Sequence, residues 1–200
     1  MKSILLSIKP KYVELIASGE KIIEVRKSAP KEVPFKCYIY ESRNGGHRCK
    51  HCNEKDSCYS YAPKNVGCYN GRGKVIGEFI CDRIEMVNAK CSDYGIDLFY
   101  HDCLTNGCLT EREIEKYFNV PEDRDLRAMK GNGYVWNISD LKIYDKPREL
   151  SEFSRPCSYS GLCFSCKRTS FKKDGNLLCN TKITRPPQSW MHVEDLGEEE

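Results

Sequence analysis

Thirteen cysteines in a chain of 200 residues, eight of them in two polar stretches at 42–73 and 154–185, constrain this sequence more than any other feature. Both stretches are poor in aliphatic residues and too long for simple turns, so neither builds an apolar core unaided. The core must come from the remaining residues, and something else must order the cysteine-rich parts. The odd count argues against complete disulfide pairing. The opening MKSILLSIKPKYVELI puts lysines and a proline where an export signal needs an apolar run, and no window approaches the ~18 apolar residues that cross a bilayer. The expectation is a cytoplasmic, membrane-free protein in which clustered thiols hold metal and isolated ones, such as Cys37 and Cys81 in strand-like runs, are buried.

Two four-cysteine sets fit zinc. Cys157, Cys163, Cys166 and Cys179 follow a C-x5-C-x2-C-x12-C spacing, and the short C-F-S-C step wraps two thiolates onto one tetrahedral ion. Cys49, Cys52, Cys58 and Cys68 form the second set, with His47 and His51 as substitute ligands, and the two sets can also share a site. Closed four-thiolate sites are structural, so one or two structural zinc ions are expected. Cys91, Cys103 and Cys108 with His101 read as a loop carrying incidental thiols.

Charge is distributed unevenly. Residues 1–40 hold eight Lys/Arg against four Glu, a local +4, and residues 155–185 hold seven against one, a local +6. Arg155, Lys167, Arg168, Lys172 and Lys173 surround the second cysteine set and suit phosphate contact. The seven residues from Glu194 carry five acids and read as a solvated tail.

Elements follow from periodicity and breakers. Ser3 to Lys9 reads as a strand; Pro10 opens a helix with Tyr12, Val13, Leu15 and Ile16 on one face, and Gly19 ends it. Lys21 to Lys27 alternates, with Ile23 and Val25 on one face and Ile22, Glu24 and Arg26 on the other. Phe35 to Glu41, Lys74 to Met86 with a bulge at Gly77, and Tyr134 to Tyr144 read as further strands, and Pro147 to Phe153 as a linker. Thr110 and Glu113 make a capping box for a helix over 110–118.

The stretch SIKPKYVELIASGEKIIEVRK, with GKVIGEF, YVWNISDLKIYDKP and the late RPPQSWMHVE, resembles the ASCH domain of the PUA-like superfamily, in a phage and bacterial subgroup. Its G-x-K-x-x-E-x-R type motif is carried by Gly19, Lys21, Glu24 and Arg26. The resemblance implies an α+β fold, a small PUA-like β-barrel with one or two short flanking helices, to which the cysteines add a zinc-stabilised appendage. The divisions expected are a barrel over 1–153 with its insertion at 42–73, a zinc-binding segment over 154–185 and a C-terminal segment over 186–200. It also implies a cleft beside the first helix that holds RNA or a modified nucleotide.

Lys21, Glu24 and Arg26 suit such a cleft: Arg is a bidentate fork for phosphate, Lys a mobile cation, and a carboxylate accepts from a base amino group. Ser7 and Lys9 are placed to reach it and Trp136 to stack on a base, although flanking Tyr134 and Ile138 equally suit Trp136 to the core. Without the resemblance, the alternating charges read as a solvated strand face. The alternative function is hydrolysis of RNA or of a modified nucleoside, by a ribonuclease or an N4-acetylcytidine amidohydrolase-like mechanism, with Lys21 and Glu24 as catalytic candidates. In the amidohydrolase branch a threonine nucleophile follows the lysine by three residues, and Glu24 stands there in this chain. A third option is an adaptor that uses zinc loops for protein contacts.

Overall fold

The computed structural model describes residues 1–43, 72–121, 126–157 and 181–197, with the backbone of 169–171 and 177–179. The chain opens with strand β1 (Lys2–Ile8), helix α1 (Pro10–Ala17) and strand β2 (Ile23–Arg26). Pro10 sits at the start of α1, where its missing N–H costs nothing, and Gly19 leaves the helix at φ +80°, a conformation open to glycine. Strand β3 (Phe35–Glu41) follows as expected.

The run 74–86, expected as one strand, divides into β4 (Val75–Cys81) and β5 (Ile84–Asn88). The run 134–144 likewise divides into β6 (Asn132–Asn137) and β7 (Ser139–Arg148). Both breaks fall where the chain crosses between sheets, and Asn137 N–H donates to Arg83 O (3.0 Å) across the two corners. Alternation within each run is continuous through the corner, so a sequence pattern does not reveal it.

Five strands form one sheet in the order β10 (Trp190–Val193), β1, β3, β4, β7; β1 and β3 are parallel and the remaining pairs antiparallel. A second sheet has the order β2, β6, β5. The described sheets do not close into the expected barrel, because β10 and β7 end the larger sheet and the smaller one stands apart. Short strands β8 (Thr169–Phe171) and β9 (Leu177–Cys179) pair with each other. The architecture is mixed α+β with a sheet-rich core.

Three apolar layers hold these sheets. Ile4, Leu6 and Ile8 of β1, Cys37 and Ile39 of β3, Val13 and Ile16 of α1 and Trp136 of β6 fill the space between them. Ile23, Val25, Val87 and Val135 face outward from the small sheet onto helices α2 (Asp93–Thr105) and α3 (Glu111–Phe118). Leu5, Tyr38, Val75 and Val193 cover the far face of the large sheet, together with Phe153 and Ile183.

Helix α3 carries the expected capping box: Glu113 N–H donates to Thr110 Oγ1, and Glu113 Oε2 accepts from Thr110 N–H. Helix α2 corrects the reading of residues 91–108 as a loop. Its residues are indifferent helix formers, but Ser92 caps it through Gly95 N–H, and Ile96, Phe99 and Cys103 bury one stripe. Gly133 makes room for that stripe, since a Cβ there would lie 2.6 Å from Phe99 Cζ.

Residues 147–153 are not a free linker either. Pro147 and Arg148 complete β7, and Phe153 is fully buried with its ring 4.9 Å from Tyr38. Residues 190–195 are equally integrated. Besides the β10 pairing, Tyr38 OH donates to Asp195 Oδ1 (2.6 Å) and Lys36 Nζ lies 3.1 Å from the same oxygen. Lys36, Glu78, Lys142 and Asp195 border a cavity of about 370 Å³ on the sheet face away from α1.

Candidate functional site

Lys21, Glu24 and Arg26 are brought together where β2 passes between the two sheets beside α1. The turn after α1 is fixed by Lys21 N–H donating to Leu15 O, and Ile22 and Ile23 N–H both point at Asn106 O in the α2–α3 connection. Within β2, Ile23 and Val25 face the α2–α3 layer, so the strand turns Glu24 and Arg26 inward toward the large sheet.

The three groups form a continuous chain. Lys21 Nζ donates to Gly107 O (2.7 Å) and lies 3.5 Å from Glu24 Oε2; Glu24 Oε1 pairs with Arg26 Nη2 at 2.8 Å; Arg26 Nη2 donates to Ser7 O at 2.7 Å. Their side chains are only 2%, 7% and 11% exposed. An open cleft with a mobile lysine is therefore not what the strand geometry produces. The carboxylate neutralises one of the two flanking cations, and the chain carries one net positive charge in a largely dry setting. Arg26 Nε is buried without a hydrogen-bond partner.

Two tyrosines, Tyr12 of α1 and Tyr117 of α3, complete the site. The Tyr12 ring of α1 lies 5.3 Å from Lys21 Nζ and 4.4 Å from Lys11 Nζ, within cation–π range of both. Burial raises the Tyr12 phenol above its ordinary range, opposed by Lys11. Tyr117 of α3 holds Lys27 Nζ 5.1 Å from its ring centre; burial raises its phenol too, against the pull of Arg26. Lys11 bridges to Glu113, tying α1 to α3. Burial pushes the Glu113 carboxyl up, but hydrogen bonds from Lys11, Thr110 and Tyr12 outweigh it and hold the group at about 2. The sequence signal for Tyr12 and Tyr117 is their hydroxyl, a polar tip on an otherwise apolar stripe.

The other expected members fall differently. The Ser7 backbone receives Arg26, and its hydroxyl donates to Pro187 O (2.6 Å). Lys9 is exposed at the entry to α1. Trp136 lies directly opposite Glu24 in the β2–β6 register but is fully buried, edge-on to Phe35 at 5.4 Å and to Trp190 at 6.1 Å. It is a core residue rather than a surface for a base, and its indole N–H is buried without a partner.

Cys37, Cys81 and Cys103 are buried thiols, as expected for the first two. Burial pushes Cys37 well above its ordinary range and both Cys81 and Cys103 to about 12, which keeps them protonated. Cys103 belongs to the α2 stripe, and no group of three or more metal-binding side chains occurs among the described residues. Cys157 is exposed. Cys163, Cys166, the whole set Cys49, Cys52, Cys58 and Cys68, His47 and His51 lie outside the described residues, as does the side chain of Cys179.

The sequence profile of the ASCH domain matches residues 6–123, a span that contains the end of β1, all of α1 and β2, and the whole Lys21–Glu24–Arg26 chain. The chain belongs to the ASCH domain family. Its fold is similar to that of an ASCH protein from Zymomonas mobilis, at a TM-score of 0.53 and 15% identity over 96% of this chain and 88% of that one. The S128A mutant of the Zymomonas mobilis protein gives 0.53 and 14%, over 96% and 89%. At such identity the likeness concerns the fold alone. A search of curated proteins finds no match. No helix among the described residues is long and apolar enough to cross a membrane.

Proposed function

We propose that this ASCH protein binds RNA or a single nucleotide, with Arg26 as the group that meets it. The observation that carries the reading is the state of the guanidinium: Nη2 is fixed by Ser7 O and Glu24, while Nε–H is buried and has no acceptor. An unmet buried donor costs on the order of 1–3 kcal/mol, and a phosphate or carbonyl oxygen of a ligand removes that cost. Family membership supports a nucleic-acid ligand, and the exposed Lys27 and Lys31 follow Arg26 closely in the chain and add cations to that segment.

The test is fluorescence anisotropy with labelled single-stranded RNA across a salt series. Binding that weakens steadily with salt is expected. Arg26→Lys, which keeps charge but loses the fork, should weaken it about tenfold, for a loss of about 1.4 kcal/mol. Absence of binding at low salt, or an Arg26→Lys variant equal to wild type, refutes the reading.

The hydrolase alternative draws on the buried contact between Lys21 and Glu24, a lysine and carboxylate held together away from water. Against it, Lys21 already donates to Gly107 O. Cleavage of RNA or deacylation of N4-acetylcytidine that disappears in Lys21→Ala while RNA binding persists would establish that reading instead. The zinc sites stay a proposal of cysteine spacing and are structural in it.

A further inference from the structure

Arg26 is joined to the C-terminal strand by a closed circuit of hydrogen bonds. Arg26 Nη2 donates to Ser7 O (2.7 Å), Ser7 N–H donates to Ser189 O (2.9 Å), the next residue Trp190 donates Nε1–H to Ser28 Oγ (3.1 Å), and Ser28 lies two residues beyond Arg26. Ser7 Oγ–H to Pro187 O adds a cross-brace. Segments 180 residues apart in sequence thus tie the indole to the stretch of chain that carries the guanidinium.

Trp190 is also the turning point of a row of rings from core to surface. Phe35 and Trp136 are fully buried; Trp190 meets Trp136 at 6.1 Å and 69°, and His192 at 5.5 Å and 87°. Trp190 is partly exposed, and His192 is exposed. The inner contact holds the indole rigid, while its partial exposure leaves it accessible from solvent. Exposed Lys27 and Lys31 flank Ser28, to which the indole is anchored.

An aromatic ring anchored to the segment that carries an arginine fork and two lysines is the combination that single-stranded nucleic acid requires: a π-face for a base, cations for its phosphate. We infer that Trp190 is the stacking residue for the base of the nucleotide held at Arg26, so that the C-terminal strand is part of the binding site. The inference rests on the nucleotide reading above. Trp190 takes the role that the sequence assigned to Trp136.

The experiment uses the full chain, labelled single-stranded RNA, and ribose 5-phosphate as a base-free competitor. Trp190→Ala should weaken RNA binding roughly 5- to 150-fold, the range for loss of one stacked base. Ribose 5-phosphate should bind wild type and Trp190→Ala equally. Trp190→Phe keeps a ring and should stay within about fivefold of wild type. RNA should quench tryptophan emission in wild type and fail to do so in Trp190→Phe, whose remaining tryptophan is the buried Trp136. This emission arm decides the matter even if Trp190→Ala does not fold. If wild type binds RNA without any change in emission, or if folded Trp190→Ala binds as wild type does, the stacking role is overturned while the Arg26 reading stands. If wild type binds no RNA, both fall together.

Discussion

Replacing Glu24 by Gln tests whether the central chain is a buried ionic device or a solvated strand face. The substitution keeps size and hydrogen bonding but removes the carboxylate that lies 2.8 Å from Arg26 and 3.5 Å from Lys21. With Lys21 2% and Arg26 11% exposed, neither cation can turn to water for compensation. Breaking a buried pair by removing one partner costs ~3–5 kcal/mol. Lys21 keeps Gly107 O and Arg26 keeps Ser7 O, which places the expected loss at the lower end, about 3 kcal/mol. For a chain of this size that lowers Tm by roughly 6–12 °C. Calorimetry and urea titration of wild type and Glu24→Gln measure it directly. The loss should persist at 1 M salt, where the screening length is ~3 Å and exposed pairs are erased. The double variant Lys21→Met/Glu24→Gln should recover part of the loss, because the strandable cation is gone. A loss below about 1 kcal/mol, or one abolished by salt, is the signature of a surface pair and refutes the burial argument.

Three further outcomes are expected. The Glu113 carboxyl, held at about 2 against its ordinary 4.5, favours the folded state at neutral pH, and this contribution is lost as pH falls from about 4.5 through about 2; the Tm difference between wild type and Glu113→Gln should shrink over that window. Gly77→Ala places a Cβ 2.5 Å from Lys142 O, a backbone atom, so chemical denaturation should show a loss of ~1–3 kcal/mol and no recovery from trimming Ile143. Native mass spectrometry of protein made with added zinc should show one or two bound ions, and chelation should lower Tm; a metal-free, fully reduced, folded protein would end the zinc expectation.

The local order of the first forty residues and the start of α3 were legible in the sequence, because each step rests on short-range chemistry: Pro10 and Gly19 bound α1, alternation sets the face of Glu24 and Arg26, and the Thr110–Glu113 box starts α3. The co-location of Lys21, Glu24 and Arg26 was legible for the same reason, since they share a strand and its entry. What the sequence could not supply was the depth at which that strand lies. Burial comes from α1, α3 and the large sheet closing around β2, which turns an expected open cleft into a dry chain of charges. Helix α2 escaped because its stability lies in Ile96, Phe99 and Cys103 packing under Gly133, a tertiary contact, rather than in propensity. The corners at Asp82–Arg83 and Ile138 escaped because alternation persists while the chain changes sheets. Trp136 and Trp190 show the same division: sequence marks both as large aromatics, and only the pairing of β10 with β1 decides that one is sealed in the core and the other stands partly exposed on the edge strand, bonded to Ser28.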